Sequence, residues 1–438
     1  MNILDSPFDL TSGQIDALTK MKSLIDNFDK RAFSVKYTIQ GYAGTGKTTI
    51  VPNVIKYARH TGIFDNIFVL APTNKAKLVL STKLDSVRGM YDISTLHSLL
   101  YGEPDEEDGE NKWVLSTNVR NSLLLVDESS MIDLKLYEDV MEACDSCLVI
   151  FFGDIFQLEQ IGKPSPIFTD LDKSELKEVK RQDNSILMLA TYIRDNNVNV
   201  YTETEDIVVV TKNEALAGIV DDLQNPEKED TVFIVATNNT RNKLNSVIRK
   251  QLGHNDMLNK RDKLISISNS EKLVNGEIFS VDEYEYVDTV PLYVYDKYKP
   301  IECDVHLYKI NGVYAMLVNI DAASLTHQQI NKGVSSLFTL FGEHYKHYLQ
   351  QKKKKIILED VDKYEYINKL SKSVIICTYG YAISCHKSQG SQFKSVYVHQ
   401  DYSAKSWNSA KWFYTAITRA VEKVYVVPNH EYQRKIVL

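Results

Sequence analysis

Residues 41–48 read GYAGTGKT, and this stretch decides the fold. Gly41, Gly44 and Gly46 let the backbone curl so that its amides, with those of Ala43 and Thr45, point at an anion. Lys47 follows as a point charge for β- and γ-phosphates. The Thr48 hydroxyl suits a Mg²⁺ ion, and Thr49 continues into a helix whose positive N-terminal end faces the same anion. The flanks agree: FSVKYTIQ (33–40) is strand-like and TTIVPNVIKYARH (48–60) has a helical pattern. Strand, glycine loop and helix in this order predict a nucleoside triphosphate site with Mg²⁺.

Working outward, LTSGQIDALTKMKSLIDNF (10–28) carries apolar residues at 15, 18, 21, 24, 25 and 28, a helical stripe that Thr11 or Ser12 is placed to cap. Strand-like runs recur at 33–40, 66–70 (NIFVL), 122–126 (SLLLV) and 147–152 (CLVIFF), with helical patterns between them. Fully apolar strands alternating with helices predict an α/β fold whose parallel sheet is covered on both faces. A second set begins at TVFIVATNN (231–239) and TRNKLNSVIRKQL (240–252), then resumes at VIICTYGYAIS (374–384), SVYVHQ (395–400) and KVYVV (423–427). Between about 263 and 320, short segments rich in Val, Ile and Tyr around the turn Asn275-Gly276 predict a small inserted barrel or sheet, and 322–370 reads as helical. A shorter interruption at about 99–118 reads as a hairpin with an acidic tip.

LLLVDESSM (123–131) ends an apolar strand in Asp127-Glu128. Acidic pairs are common on surfaces, but a pair at the carboxyl end of a buried strand faces the phosphate loop. There Asp127 suits the Mg²⁺ shell beside Thr48, and Glu128 suits polarisation of the attacking water. The next strand ends in GDIFQL (153–158), where the Gln157 amide is placed for the γ-phosphate or the water. Charge developing on the γ-phosphoryl calls for arginine. Arg181 in LKEVKRQD (176–183) and Arg419 in WFYTAITRAVEK (412–423) are the candidates, donated across a cleft between the two α/β sets.

Composition bounds the rest. The 438 residues allow two or three domains, and 43% hydrophobic with 25% charged residues is the balance of an ordinary soluble protein. No stretch reaches the length of a membrane span, and MNILDSPFDLTSGQ has neither a basic start nor an apolar signal core, so a cytoplasmic protein without a membrane partner is expected. The net charge of −7 is weak evidence against nucleic acid, because phosphate contacts need a local basic groove. Five cysteines give no disulfide framework, and the CxxC of Cys144 and Cys147 has no second pair to complete a zinc site.

The ordered series GYAGTGKT, APTNKAK (71–77), STLHSLL (94–100), VDESSM, GDIFQL, VKRQD, SCHKSQGSQF (384–393) and YTAITRA (414–420) resembles the motif set of superfamily 1B, RecD-like DNA helicases, nearest to the small phage Dda-type enzymes. The resemblance implies two RecA-like domains: 1A at 1–98 and 119–182, and 2A at 183–262 and 371–438. It also implies a hairpin insertion 1B (99–118) acting as a strand-separating pin, and an accessory insertion 2B (263–370), an SH3-like β-barrel with helices. By the same resemblance Gln14 reads adenine. Thr73, Asn74 and His97 contact single-stranded DNA in the first domain, and His386, Lys387, Ser388 and Gln389 do so in the second. Trp113 is the aromatic candidate for the pin. Family members often carry an acidic residue near position 392, where this chain has Gln392. The implied molecule is a monomeric ATP- and Mg²⁺-dependent motor that travels 5′ to 3′ on single-stranded DNA, opens duplex junctions and serves replication or recombination proteins, in the host cytoplasm for a phage protein.

Other readings compete. NKRD (259–262) matches the guanine-reading pattern NKxD, but HNDML precedes it instead of an apolar strand, and DE is followed by SS rather than DxxG. An ATP-gated nucleic-acid clamp shares the nucleotide site without strand separation. An RNA helicase remains open, because nothing in these motifs reads a 2′-hydroxyl.

Overall fold

The apolar runs around the phosphate loop form one parallel sheet. The structure is a computed structural model, and it describes residues 1–101, 105–107, 110–112, 115, 117–159, 163–179, 184–267, 273, 275–295, 300–318, 374–401, 408–429 and 433–437. Strands β1 (Val35–Gly41), β2 (Asn66–Ala71), β3 (Asp92–Thr95), β4 (Ser122–Val126), β5 (Leu148–Gly153) and β6 (Lys173–Leu176) lie in the order β6-β1-β5-β4-β2-β3. Every neighbouring pair is parallel.

Because side chains alternate along a strand, each strand feeds two cores. Leu123, Leu125, Ile150 and Phe152 pack on one face with Leu18, Met21 and Ile25 of α1 (Ser12–Asp26) and Val54 and Ile55 of α2 (Val51–Thr61). Leu124, Val126, Val149 and Phe151 pack on the other with Val140 of the Leu134–Ala143 helix. This is the doubly covered parallel sheet that continuous apolar strands demand. Thr11 caps α1 in a reciprocal box: its side chain accepts from the Gln14 amide N–H, and the Gln14 side chain accepts from the Thr11 N–H.

The C-terminal strands belong to the same compact unit, which comprises Met1–Thr211 and Ser388–Leu438. Phe393–His399 runs parallel to Ala420–Val427, which runs parallel to Ile207–Val209. The Ser409–Ile417 helix is started by the Asn408 side chain accepting from the Lys411 N–H, and its residues Ala410 and Trp412 to Ile417 are buried.

The second unit is Lys212–Lys387. Its strand Thr231–Val235 pairs in parallel with Ala382–Ser384 beside the Asn238–Gln251 helix. A separate six-stranded sheet runs in the order Ile278–Ser280, Lys263–Ser266, Ile375–Tyr379, Val313–Val318, Pro300–Ile310, Tyr284–Tyr295. It is antiparallel except where Val313–Val318 meets Ile375–Tyr379. The apolar run 374–384, read as one strand, is thus two strands in two sheets. They part at Gly380, where a Cβ would sit 3.1 Å from the backbone of Leu264 and Ile265, so a side chain there would push the chains apart by a few tenths of an ångström. What the described part of the expected barrel forms is this mixed sheet, with Ile375–Tyr379 in its interior. Asp105–Glu107 and Glu110–Lys112 pair antiparallel at the expected hairpin. Trp113, Arg181 and the segment 322–370 lie outside the described residues. Among the described residues no helix is long and apolar enough to cross a membrane.

Candidate nucleotide site and nucleic-acid interface

Parallel pairing puts the carboxyl ends of β1, β5 and β4 side by side, at the edge of an α/β sheet where ligands bind. The chain leaves β1 as the phosphate loop, β5 at Asp154 and β4 at Asp127. Gly44 and Gly46 take positive φ, 78° and 75°, as the tight curl requires. A Cβ on Gly46 would lie 2.5 Å from the Gln14 side-chain nitrogen. Gln14 is fully buried beneath the loop and donates from Nε2 to the Thr45 carbonyl at 3.0 Å and the Gly46 carbonyl at 3.4 Å. With its Oε1 accepting from the Thr11 N–H, the Gln14 amide links the start of α1 to the phosphate loop.

Lys47 donates from Nζ to the carbonyls of Gly41 and Tyr42, within the cradle of the loop. Thr48 Oγ1 donates to Asp127 Oδ2 at 3.1 Å. Burial and then the neighbouring Glu128 carboxylate push Asp127 upward, while its bond from the Glu128 N–H and the Lys47 charge pull it down. Glu128 itself stands at φ +50°, an uncommon conformation for a non-glycine residue and one that concentrates at functional turns. Thr49 is exposed at the start of the helix. A hydroxyl and one carboxylate in hydrogen-bond contact fit Mg²⁺, which keeps waters and phosphate oxygens in the rest of its shell. No group of three or more His, Cys, Asp or Glu that could hold a metal occurs among the described residues.

The loop after β5 is gripped by the C-terminal segment of the same unit. Buried Asp154 accepts from the Tyr414 hydroxyl at 2.7 Å and from the Phe156 N–H at 2.9 Å. That hydroxyl in turn accepts from the Ala43 N–H of the phosphate loop at 2.9 Å. One residue on, Thr415 Oγ1 accepts from the Leu158 N–H at 2.9 Å, and Gln389 Nε2 donates to the Leu158 carbonyl at 2.7 Å. Burial raises the Asp154 carboxyl, opposed by the Lys47 charge and the Tyr414 bond. Between these anchors Gln157 is 4% exposed, and its Oε1 has no hydrogen-bond partner among the described residues. A buried acceptor without a partner is rare and marks a place for a donor. Tyr414 and Asp154 were not foreseen. The signal for them was the tyrosine five residues before Arg419, in a motif read only for its arginine.

Arg419 is buried, and its guanidinium donates to the carbonyls of Thr415 and Ser391 and to the Thr418 hydroxyl. It makes no ion pair among the described residues. Arg194, on the Ser185–Asn196 helix, stacks its guanidinium on the Tyr42 ring at 3.9 Å and was also missed.

The residues expected on DNA divide. Thr73 caps the Asn74–Lys83 helix, its side chain accepting from the Ala76 N–H, with Asn74 half-buried as the first residue. His97 is exposed on the Leu96–Leu100 turn, its ring tilted against Tyr101 at 5.5 Å. A Cβ added at Gly390, which stands at φ +72°, would lie 3.5 Å from the Ala76 Cβ. Ser388 and Gln389 are buried, and the Gln389 amide donates to the Leu158 carbonyl. In the second unit His386 and Lys387 are half-buried. Lys387 Nζ donates to Asn275 Oδ1 at 2.5 Å. Burial and the nearby Arg241 charge lower Lys387 to about 8, and burial lowers Arg241 to about 10. Two crowded cations form a local basic site on an acidic chain. The Asp262 of NKRD is fully buried and accepts from Arg249, Tyr381 and His254, so it serves as the centre of a polar network.

The family model described as an AAA domain matches residues 30–213, and that of the UvrD-like helicase C-terminal domain matches 379–427. The chain is 29% identical to the ATP-dependent DNA helicase dda of Enterobacteria phage T4, over 74% of this chain and 83% of that one. It is 24% identical to an uncharacterized protein of Methanocaldococcus jannaschii, over 90% of this chain but only 36% of the relative, so it spans about a third of that protein's length. The crystal structure of a Bacteroides Pif1 helicase with ADP-AlF3 and single-stranded DNA aligns with a TM-score of 0.49 at 16% identity, covering 96% of this chain and 93% of that one. The two matched domains, in this order around the motif series, make the chain similar to superfamily 1B helicases. Within that class the similarity runs to the Dda helicase of phage T4.

Proposed function

We propose that the protein hydrolyses ATP at the site built on residues 41–48 and uses the energy to move along single-stranded DNA and separate duplex DNA. The observation that carries this reading is the contact between Thr48 and Asp127 at the adjoining strand end, with the Gln157 oxygen unpartnered one strand away. Mg²⁺, held by Thr48 and Asp127, would supply charge neutralisation between the β- and γ-phosphates. Loop amides and Lys47 bind and orient the triphosphate. Glu128 draws a proton from the attacking water, which Gln157 orients. Arg419, and Arg181 by its motif, meet the charge that spreads over the γ-phosphoryl oxygens. Thr73, Asn74, His97, His386 and Lys387 track the strand, and Trp113 caps the junction as the pin. The division into RecA-like halves at 182/183, with insertions at 99–118 and 263–370, the 5′ to 3′ direction and the monomeric state belong to this proposal and rest on the motif series.

The test measures ATP hydrolysis with and without single-stranded DNA beside strand separation on duplexes bearing a 5′ or a 3′ tail, with Lys47→Ala as the inactive control. DNA-stimulated turnover and opening of 5′-tailed duplexes alone are expected. Turnover without opening would replace the motor by a clamp, preference for RNA would replace the substrate, and the absence of stimulation would end the reading.

A further inference from the structure

One hydroxyl joins two parts of the nucleotide site that lie far apart in sequence. Tyr414 Oη accepts from the Ala43 N–H, on the phosphate loop, and donates to Asp154, which opens the loop bearing Gln157. The neighbouring Thr415 holds the Leu158 N–H, so Gln157 is fixed on both sides by consecutive residues of one helix. The Phe156 ring packs edge-on against the Tyr414 ring at 5.2 Å and closes the remaining freedom. That helix leads directly into Arg419, whose Nε is held by the Thr415 carbonyl.

We infer that Tyr414 is a positioning residue for ATP hydrolysis: through Asp154 it sets where Gln157 stands relative to the phosphate loop and ties that placement to the helix that leads into Arg419. The inference rests on the proposed hydrolysis and adds to it a residue that never touches the nucleotide. A glutamine that orients water must be placed to a fraction of an ångström. Its own buried side chain offers no anchor, since Oε1 is unpartnered among the described residues, and the placement has to come from its neighbours. Asp154 cannot supply it alone. A buried carboxylate keeps one arrangement only when its partners satisfy it, and Tyr414 is the side-chain donor it has. Because the same hydroxyl uses the Ala43 N–H as its donor, a shift of the phosphate loop on nucleotide exchange is transmitted to Gln157 through two hydrogen bonds.

Tyr414→Phe keeps the ring against Phe156 and deletes only the hydroxyl. In DNA-stimulated ATP hydrolysis by the full chain, kcat should fall by up to about 100-fold while KM for ATP stays within about 3-fold, because binding groups are intact and only placement is lost. Asp154→Ala should lose a similar factor, and the double variant no more than either single one, since both break one linkage. Thr415→Val, which frees the Leu158 N–H and leaves both Tyr414 contacts, should lower kcat with KM kept. Thermal melts run in parallel: a purely structural role lowers the melting temperature and leaves kcat per folded molecule unchanged, which would overturn the inference. Multiplying losses in the double variant would overturn it as well, as would wild-type kcat in Tyr414→Phe. If the unaltered protein shows no DNA-stimulated turnover, the proposed function fails and the inference falls with it. If the unaltered protein is active and Tyr414→Phe matches it, the inference alone fails.

Discussion

Glu128 and Lys387 show two ways in which a single side chain is conditioned by its surroundings. Glu128 occupies a left-handed backbone turn at the end of β4, beside a carboxyl that burial has raised. Glu128→Gln keeps the size and removes the base. Nucleotide binding, followed with a fluorescent ATP analogue, should persist while phosphate release drops by about 100-fold; normal turnover would take Glu128 out of its role. Lys387 is lowered to about 8 by burial and by Arg241, so it carries its charge at pH 7 and loses it as pH rises through 8. If it meets a DNA phosphate, affinity for single-stranded DNA should fall between pH 7 and 9.5, and the slope of log K against log salt should shrink by about 0.7. Lys387→Gln should remove that pH dependence, and an unchanged profile in the variant would place the titration elsewhere.

Among elements, the Asn238–Gln251 helix is pinned by one buried carboxylate. Asp262 accepts from Arg249 at 2.9 and 3.0 Å, from the Tyr381 hydroxyl at 2.6 Å and from the Asn259 N–H at 2.8 Å. Burial alone would raise its pKa, but the bonds from Arg249, Tyr381 and His254 outweigh it and hold the carboxyl below the usual range. The stabilisation is therefore complete at neutral pH and is lost only as pH falls below the ordinary carboxylate value. Asp262→Ala leaves Arg249 buried without its counter-charge and should cost about 3–5 kcal/mol in chemical denaturation. A change near zero would show that the network relaxes around water.

For the whole molecule, the first unit is discontinuous, because residues 388–438 complete what 1–211 begin. A chain ended after Lys387 would leave the Ala43 N–H, the Asp154 carboxyl and both backbone groups of Leu158 without the partners they now have. Each buried unsatisfied group costs about 1–3 kcal/mol, and a domain has only about 5–15 kcal/mol in hand. The shortened chain should lose its cooperative melt and its nucleotide binding. A melt at the full-length temperature, followed by circular dichroism, would contradict the dependence.

What sequence alone determined is whatever a short window can encode. The curl of GYAGTGKT depends on glycines within eight residues, and SLLLV and LVIFF announce a doubly covered sheet by being apolar at every position. Asp127 comes to stand at the strand end because it follows such a run directly. The tertiary structure alone decided which polar groups spend themselves on one another. Tyr414 meets a phosphate-loop amide 371 residues away, and Gln389 meets a carbonyl 231 residues away, so no local pattern announces either pairing. Gln14 braces the loop, Gly380 lets two sheets part, and Asp262 anchors Arg249 for the same reason. Burial removes water as a partner, and every polar group enclosed must then find whichever neighbour the completed fold has brought within reach.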